Sequence, residues 1–259
     1  MKNIAFLISG NIRIYEKNLV FLESLRKELI DYKIIFICSV WEKQETLEEF
    51  SKKYQVKFIN QIKENDWHNK IEKIKFVTGG ENLSFKIQNV FHMWHSITEN
   101  IHFLESVIKE NNLSIDYVCR YRTDIMTLKG IKNLKRDLES LKNNEFLFSS
   151  NRHYRGITDL FFIAKIETFY KLKNIFNFFD KFITDKRVFD PEYIFYCFIS
   201  ENNFKIKIAY KLDLAIIRIE ESKPTKTVFI PIKDKIKMKI AKRRIKLIKL
   251  INKFKYVLK

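Results

Sequence analysis

The sequence is poor in the residues that interrupt secondary structure and in those that crosslink a chain. Its 259 residues include 5 glycines, 3 prolines and 3 cysteines. So few glycines and prolines exclude a collagen-like or low-complexity chain. An odd number of distant cysteines argues against a disulfide framework. Because Cys38, Cys119 and Cys197 lie in apolar segments, we expect buried, reduced thiols.

Several short motifs with a known chemical meaning are also missing. The sequence has no Cys-x-x-Cys pair for zinc, no glycine-rich dinucleotide or phosphate-binding loop, and no Gly-x-Ser-x-Gly nucleophile turn. The apolar run near the amino terminus, Ile4–Ile8, is too short for a spanning helix or a signal peptide. We therefore expect a cytoplasmic protein.

Positive charge is abundant, but most of it lies at one end of the chain. The net charge is +18, and residues 233–259, with twelve Lys or Arg and one acid, carry +11 of it. The other 232 residues carry only +7. Charge confined to one end argues against a folded face for nucleic acid, so we expect no nucleic-acid partner.

The carboxyl-terminal segment alternates apolar and basic residues at the spacing of a helix. Its apolar positions are Ile240, Leu247, Ile248, Ile251, Phe254 and Leu258. Such a basic amphipathic helix can lie on an anionic membrane surface. We therefore divide the chain into a domain at 1–225 and a membrane-associating tail at 226–259. A solvated helix packed on the domain, or a nucleic-acid contact, remains an alternative.

Apolar runs and helical periodicity in the rest of the chain predict one α/β domain. Ile4–Ile8 and Ile34–Cys38 are runs typical of strands buried on both faces, and a helical pattern lies between them. Together they predict a parallel βαβ unit. A long helix is expected at 85–108, and the polar segment 60–84 is expected to be a loop over the sheet. A mixed, mainly parallel sheet flanked by helices follows.

Shorter elements are expected around this framework. We predict a third strand near Val56–Ile59, later strands at Phe146–Phe148 and Ile157–Ala164, a helix at Glu167–Phe179 and another that begins at Pro191.

The most informative charged residues are Arg120, Arg122 and Asp124, which follow an apolar strand. Residues two apart on a strand share a face, and three charged groups on one face cannot all be buried in a core. They must line a polar cleft or pair with each other. Ligands of open α/β sheets bind at the carboxyl ends of strands, so these residues predict a site for phosphate, for carboxylate or for a cation. An internal ion-pair cluster is the alternative.

Four further positions are candidates. Gly10 and Arg13 lie in the loop between the first strand and the first helix, where free amides favour an anion. Asp159 precedes an apolar strand. A carboxylate in a turn that accepts hydrogen bonds from nearby backbone amides would give the same sequence pattern. Glu192 lies in the first turn of a helix, where an acid is also favoured by the helix dipole.

Four segments, in this order, resemble one bacterial enzyme family. They are Ile-Ser-Gly-Asn-Ile-Arg at 8–13, Asp-Tyr-Val-Cys-Arg-Tyr-Arg-Thr-Asp at 116–124, Ile-Thr-Asp at 157–159 and Asp-Pro-Glu at 190–192. The chain resembles the WavE-like glycosyltransferases of lipopolysaccharide and capsule synthesis from residue 4 to about residue 205. The Arg-x-Arg-x-Asp segment is the most specific of the four.

The resemblance implies a GT-A-like fold and the transfer of a sugar from a nucleotide-sugar donor to a saccharide or lipid-linked acceptor. It implies that Asp124 faces a divalent cation, Mn²⁺ or Mg²⁺. The family motif has two acids, whereas this sequence has Arg122 at the first position. Arg13, Arg120 and Arg122 are expected to bind the donor phosphates. Asp159, or else Glu192, is expected to be the catalytic base.

The tail would then hold the enzyme on the inner face of the inner membrane, beside a lipid-linked acceptor. Two other functions remain open at this point. A basic nucleic-acid-binding protein would also have a high positive charge, and a transferase of phosphate-containing groups could use the same scaffold.

Overall fold

The structure is a computed structural model. The part of the chain that it describes comprises residues 1–10, 12, 15–41, 46–63, 67–72, 84–127, 131–149, 157–184, 191–209, 212, 214–216, 239–240, 243–244 and 246–248.

Most strands of the described chain join one central sheet. In chain order the strands are β1 (Lys2–Gly10), β2 (Tyr32–Trp41), β3 (Phe58–Ile62), β4 (Tyr117–Tyr121), β5 (Ile125–Thr127), β6 (Glu145–Phe148), β7 (Phe161–Lys165), β8 (Lys205–Ile208) and β9 (Leu214–Ile216). Seven of them form a sheet in the order β3-β2-β1-β4-β7-β6-β8, and β5 pairs with β9 separately. Strand β7 is antiparallel to β4 and to β6, and the other neighbours in the large sheet are parallel. The predicted mixed, mainly parallel sheet is confirmed.

Helices cover both faces of this sheet. They are α1 (Tyr15–Glu28), α2 (Leu47–Tyr54), α3 (Ser84–Asn111), α4 (Leu134–Glu139), α5 (Ile166–Tyr170), α6 (Ile175–Thr184) and α7 (Pro191–Glu201), with a 3-10 turn at Lys171–Asn174. The long α3 was predicted, because apolar residues recur along it every three or four positions.

The two faces of the sheet form two separate apolar cores. On one face, α3 and α7 pack their aromatic residues, among them Trp94 and Phe195, against strand residues such as Leu7. On the other face, α1 and α2 pack against strand residues such as Phe6. This double burial explains why β1 and β2 are almost continuously apolar. All three cysteines are buried and free, as expected.

Several predicted boundaries were wrong. Strand β7 begins at Phe161, later than expected, because the amide of Leu160 donates to the Thr158 hydroxyl at 3.3 Å and closes a local turn. The predicted loop at 60–84 contains the end of β3 and a helical turn at 68–72, while 64–66 and 73–83 lie outside the described residues. The predicted helix at Glu167–Phe179 is divided by the 3-10 turn.

Residues 239–240, 243–244 and 246–248 of the tail are helical. Ile240 and Leu247 are more than half exposed, whereas Ile248 is partly buried against the core that contains α3. Within the described part of the chain, no helix has both the length and the apolar character that crossing a membrane requires. The division at residue 225 stays a prediction.

Candidate functional site

The candidate site lies where the order of the strands reverses. From β1 the chain passes through α1 to β2, which lies on one side of β1. From β3 it passes through α3 to β4, which lies on the other side of β1. In open α/β sheets, the crevice outside the carboxyl ends of the two strands at such a reversal is where ligands bind. Here those ends are Gly10 of β1 and Tyr121 of β4.

Arg120 lies beneath this crevice and is almost fully buried, with 3% of its surface exposed. It is opposite Leu7 of β1 and Phe162 of β7, so its side chain lies on the face covered by α3. Because β1 continues two residues beyond its pairing with β4, Ser9 follows on the same face. The guanidinium Nη1 of Arg120 donates to Ser9 Oγ at 2.5 Å.

The chain turns sharply after β4, so Arg122 and Asp124 are not on a strand. Residues Thr123 and Asp124 form a turn that leads into β5. The side chain of Asn18, from α1, donates to the carbonyl oxygen of Ile125 and fixes the far side of this turn. The expectation that Arg120, Arg122 and Asp124 share one face of a continuous strand was therefore wrong, since the strand ends at Tyr121.

The turn instead brings Arg122 and Asp124 into a two-pronged ion pair. Arg122 Nε donates to Asp124 Oδ1 at 2.8 Å, and Nη2 donates to Asp124 Oδ2 at 2.6 Å. A second carboxylate lies on the other side of the same guanidinium, with Asp159 Oδ2 at 3.8 Å from Arg122 Nη1. Arg122 is thus held between two acids that are far apart in sequence. We call Arg120, Arg122, Asp124 and Asp159 the charged cluster.

Within the cluster, Arg122 and Asp124 stabilise each other's charge. Burial opposes the charge on Arg122, but the hydrogen bond and the charge of Asp124 raise the pKa of Arg122 above its ordinary value. Burial likewise opposes the charge on Asp124, but the pair with Arg122 lowers the pKa of this carboxyl. For Arg120, burial and the charge of Arg122 lower the pKa to about 10. All three groups are therefore ionised at neutral pH.

Asp159 reaches the cluster from the segment before β7. The Thr158 turn precedes β7, and the amide of Ile157 donates to the carbonyl oxygen of Glu192 in the first turn of α7 at 3.3 Å. This backbone contact brings the start of α7 beside the Asp159 segment. Asp159 is 7% exposed, so this acid belongs to the buried margin of the crevice and not to a fully solvated turn.

A polar side chain of α3 and a glycine with an unusual backbone conformation lie at the carboxyl end of β1. Asn100 of α3 donates to the carbonyl oxygen of Ile8 at 2.7 Å. Gly10 has φ of 91°, a left-handed conformation that favours glycine. A Cβ on Gly10 would lie 3.7 Å from Ser96 Oγ and 3.8 Å from Trp41 Nε1. Backbone conformation, more than lack of space, therefore accounts for a glycine at the end of β1.

The structure brings together five of the predicted site residues, and one lies outside the described part of the chain. Gly10, Arg120, Arg122, Asp124 and Asp159 meet around the ends of β1 and β4. Glu192 approaches through its backbone contact with Ile157, and Arg13 is not among the described residues.

Sequence reasoning gave no role to Ser9, Asn18 or Asn100, although each touches this region. The available signal was a polar residue at a position that the apolar pattern would bury: Ser9 ends the run of β1, and Asn100 follows Ile97 by three residues on α3. Such a residue indicates a buried hydrogen bond but does not name its partner.

The predicted cation can be tested against these side chains. In the part of the chain that is described, no group of three His, Cys, Asp or Glu residues lies close enough to hold a metal ion. Both oxygens of Asp124 accept hydrogen bonds from Arg122. In this arrangement the described residues do not fit a divalent cation held by Asp124, and its role as a metal ligand stays a prediction.

Structural comparison identifies the fold. Core-mannan synthase A from Aspergillus fumigatus, solved with manganese and GDP, superposes with a TM-score of 0.51 at 11% identity, over 92% of this chain and 82% of that one. The galactosyltransferase LgtC, solved with donor and acceptor sugar analogues, gives 0.42 at 10% identity over 80% and 72%. A nucleotide-diphospho-sugar transferase from Desulfovibrio desulfuricans G20 gives 0.41 at 10% identity over 80% of each chain. The predicted GT-A fold is confirmed.

No protein-family model matches the sequence, and no curated protein matches it either. The resemblance to the WavE-like family therefore rests on the short segments named above.

Proposed function

We propose that this protein is a glycosyltransferase that moves a sugar from a nucleotide-sugar donor to a saccharide or lipid-linked acceptor. The observation that carries the proposal is the charged cluster at the reversal point of a GT-A sheet. Two of the neighbours in fold are named as sugar transferases, and a third is a core-mannan synthase solved with manganese and GDP. Two oriented arginines at this position, Arg120 buried and Arg122 partly exposed, favour a phosphate-containing ligand.

The chemistry of sugar transfer requires what the cluster offers. As the bond between the sugar carbon and the diphosphate oxygen breaks, negative charge develops on the leaving nucleoside diphosphate. Fixed positive groups in a site that excludes water stabilise this charge strongly. Arg120 and Arg122 are charged at neutral pH and are held in place by Ser9 and Asp124.

The same site needs a base for the acceptor. The acceptor hydroxyl loses its proton as its oxygen bonds to the sugar carbon, and a carboxylate close to the leaving group can accept that proton. Asp159 lies 3.8 Å from Arg122, so a donor bound at the guanidinium would lie close to this acid. Asp159 is our first choice for the base, and Glu192 is the second.

Replacing Asp159 tests this assignment. We expect Asp159→Asn to lower the rate of sugar transfer at least about 100-fold, since general base catalysis typically contributes that much. Binding of the nucleotide sugar should stay within a few-fold of the wild type. The measurement is single-turnover transfer with saturating donor, together with donor affinity by calorimetry. Unchanged turnover would remove Asp159 as the base. The matched change Glu192→Gln examines the second candidate.

The proposal extends to where the protein acts. We propose that it works on bacterial surface polysaccharide, lipopolysaccharide or capsule, with its basic tail on the anionic inner face of the inner membrane. Each basic residue close to anionic lipid adds about 1 kcal/mol of attraction. Arg243, Arg244 and Lys246 are exposed on helical segments of the tail, which supports a surface that can meet lipid headgroups.

The tail can be tested in the full chain. Changing Arg243, Arg244 and Lys246 together to Glu should strongly reduce co-sedimentation with phosphatidylglycerol vesicles. Reversing three exposed lysines of the domain, Lys33, Lys109 and Lys132, makes the same change in net charge and should leave sedimentation nearly unaltered. If both triple variants lose vesicle binding equally, general charge explains the attraction and the proposal for the tail fails.

A further inference from the structure

The turn after β4 already holds a fixed positive charge beside the two acids of the site. Arg122 makes two hydrogen bonds to Asp124 and lies 3.8 Å from Asp159. Its side chain is 24% exposed, so Arg122 is anchored by Asp124 and is still partly accessible. This combination of anchoring and exposure is what a binding group requires.

Among the described residues, the geometry leaves donors on Arg122 for a ligand. A guanidinium has five N–H donors, and the pair with Asp124 uses one from Nε and one from Nη2. The donors on Nη1 lie on the side of Asp159, whose Oδ2 is 3.8 Å from Nη1. A phosphate oxygen can therefore bond to Arg122 while Asp124 keeps the group in place.

A divalent cation on Asp124 would have to compete with this arrangement. Arg122 engages both carboxylate oxygens of Asp124, so a bound cation would lie against a guanidinium of the same sign. Repulsion between like charges in a largely buried site is strong. Arg120, whose Nη1 donates to Ser9 Oγ, adds a second positive group beneath the same crevice. The crevice thus obtains its positive charge from the chain itself.

We propose that Arg122 takes the place of a divalent cation, so that the protein binds a nucleoside diphosphate without metal. Asp124 is then a positioning residue that orients the guanidinium, and it is not a metal ligand. This inference rests on the proposed function, because it concerns the diphosphate of the same donor.

Calorimetry with UDP, GDP, CDP and ADP on the full chain, in EDTA and then in millimolar manganese, tests the inference. For the nucleotide that binds, we expect dissociation constants in the two conditions to agree within about threefold. Binding that requires manganese would overturn the inference and leave the proposed function standing. Absence of binding by every nucleotide in both conditions would overturn the proposed function and this inference with it.

Substitutions at Arg122 separate its charge from its geometry. A charge-assisted, two-pronged phosphate contact is worth about one to two orders of magnitude in affinity. We expect Arg122→Gln to weaken metal-free binding by about 10- to 100-fold. Arg122→Lys keeps the charge but loses the two-pronged contact. The logarithm of its loss in affinity should be at least about half that of Arg122→Gln. Arg136→Gln removes an exposed arginine from α4 and should leave affinity unchanged.

A third variant separates a positioning role for Asp124 from a metal-binding one. Asp124→Asn should weaken binding by a similar factor in EDTA and in manganese, because the loss arises from a disordered Arg122. Thermal melting without ligand identifies any variant that fails to fold. In that case Arg122→Lys, which retains a positive partner for both acids, is the variant to measure. A loss in Asp124→Asn that occurs in manganese alone would overturn the inference, as would full affinity in Arg122→Gln.

Discussion

Two buried polar networks meet on opposite faces of the last residues of β4, and they differ in how completely they are paired. On the face covered by α1 and α2, the Tyr121 hydroxyl donates to Asn18 Oδ1. The Tyr54 hydroxyl lies 2.8 Å from the same oxygen, and Asn18 Nδ2 donates to the Ile125 carbonyl oxygen. We call this the asparagine network.

On the face covered by α3, Arg120 bonds to Ser9 and Asn100 bonds to the backbone of β1. Here several atoms are buried without a hydrogen-bond partner among the described residues, namely Arg120 Nε, Asn100 Oδ1 and Ser39 Oγ. We call this the arginine network. The two networks are one residue apart on the same strand, because successive side chains of a strand point to opposite faces.

The difference indicates a division of tasks. A fully paired buried network fixes a unique local structure, and the asparagine network fixes the turn that carries Arg122 and Asp124. Groups that stay unpaired in a buried region cost free energy, and their persistence beside the charged cluster is typical of functional sites, where local rules are broken. The first network therefore serves stability, and the second lies beside the proposed ligand site.

The largest expected effect is on the asparagine network. Asn18→Leu removes three hydrogen bonds and leaves two tyrosine hydroxyls and a backbone carbonyl to find other partners. We expect the free energy of unfolding to fall by about 3 kcal/mol, measured by urea denaturation.

The matched change on the other face should cost much less. Asn100→Leu has the same chemistry at an equally buried site, but it removes a single donated bond and an oxygen that has no described partner. We expect a loss of about 1 kcal/mol. Equal losses in the two variants would contradict the distinction between the networks.

The smallest expected effect is at Ser39 of β2. Its hydroxyl is fully buried and has no partner among the described residues, so Ser39→Ala removes an unpaired polar group. Stability should stay within about 0.5 kcal/mol of the wild type, or rise. Thr98→Val on α3 removes a hydroxyl that donates to the Trp94 carbonyl oxygen at 2.9 Å, and it should cost about 1 kcal/mol. A larger loss in Ser39→Ala than in Thr98→Val would show that Ser39 has an important partner.

Much of the framework could be predicted from the sequence, because burial leaves a clear pattern. Strands β1 and β2 are covered on both faces and are therefore apolar along most of their length, and α3 has one long apolar stripe. Helix α2 was missed because only Phe50 and Tyr54 of its eight residues are buried, which leaves too little periodicity to recognise. Its remaining residues are mostly Glu and Lys.

The partners within the site could be predicted less well. Spacing singled out residues 120, 122 and 124, which the structure brings close together, but it implied a continuous strand. The end of β4 at Tyr121 and the turn at Thr123 depend on contacts with α1, which lies about a hundred positions earlier in the chain. The approach of Asp159 to Arg122 likewise depends on the antiparallel pairing of β7 with β4. Local sequence patterns do not encode such tertiary contacts.

The most direct test of the account is ligand-induced thermal stabilisation of the wild type and of Arg120→Met by nucleoside diphosphates and nucleotide sugars. A ligand that binds the folded state raises its melting temperature, and binding at 100 times the dissociation constant adds about 2.7 kcal/mol. The melting temperature of Arg120→Met without ligand shows whether this variant folds. We expect nucleotides with one base to stabilise the wild type and to fail to stabilise Arg120→Met. No stabilisation of the wild type by any of these ligands, or equal stabilisation of both proteins, would contradict it.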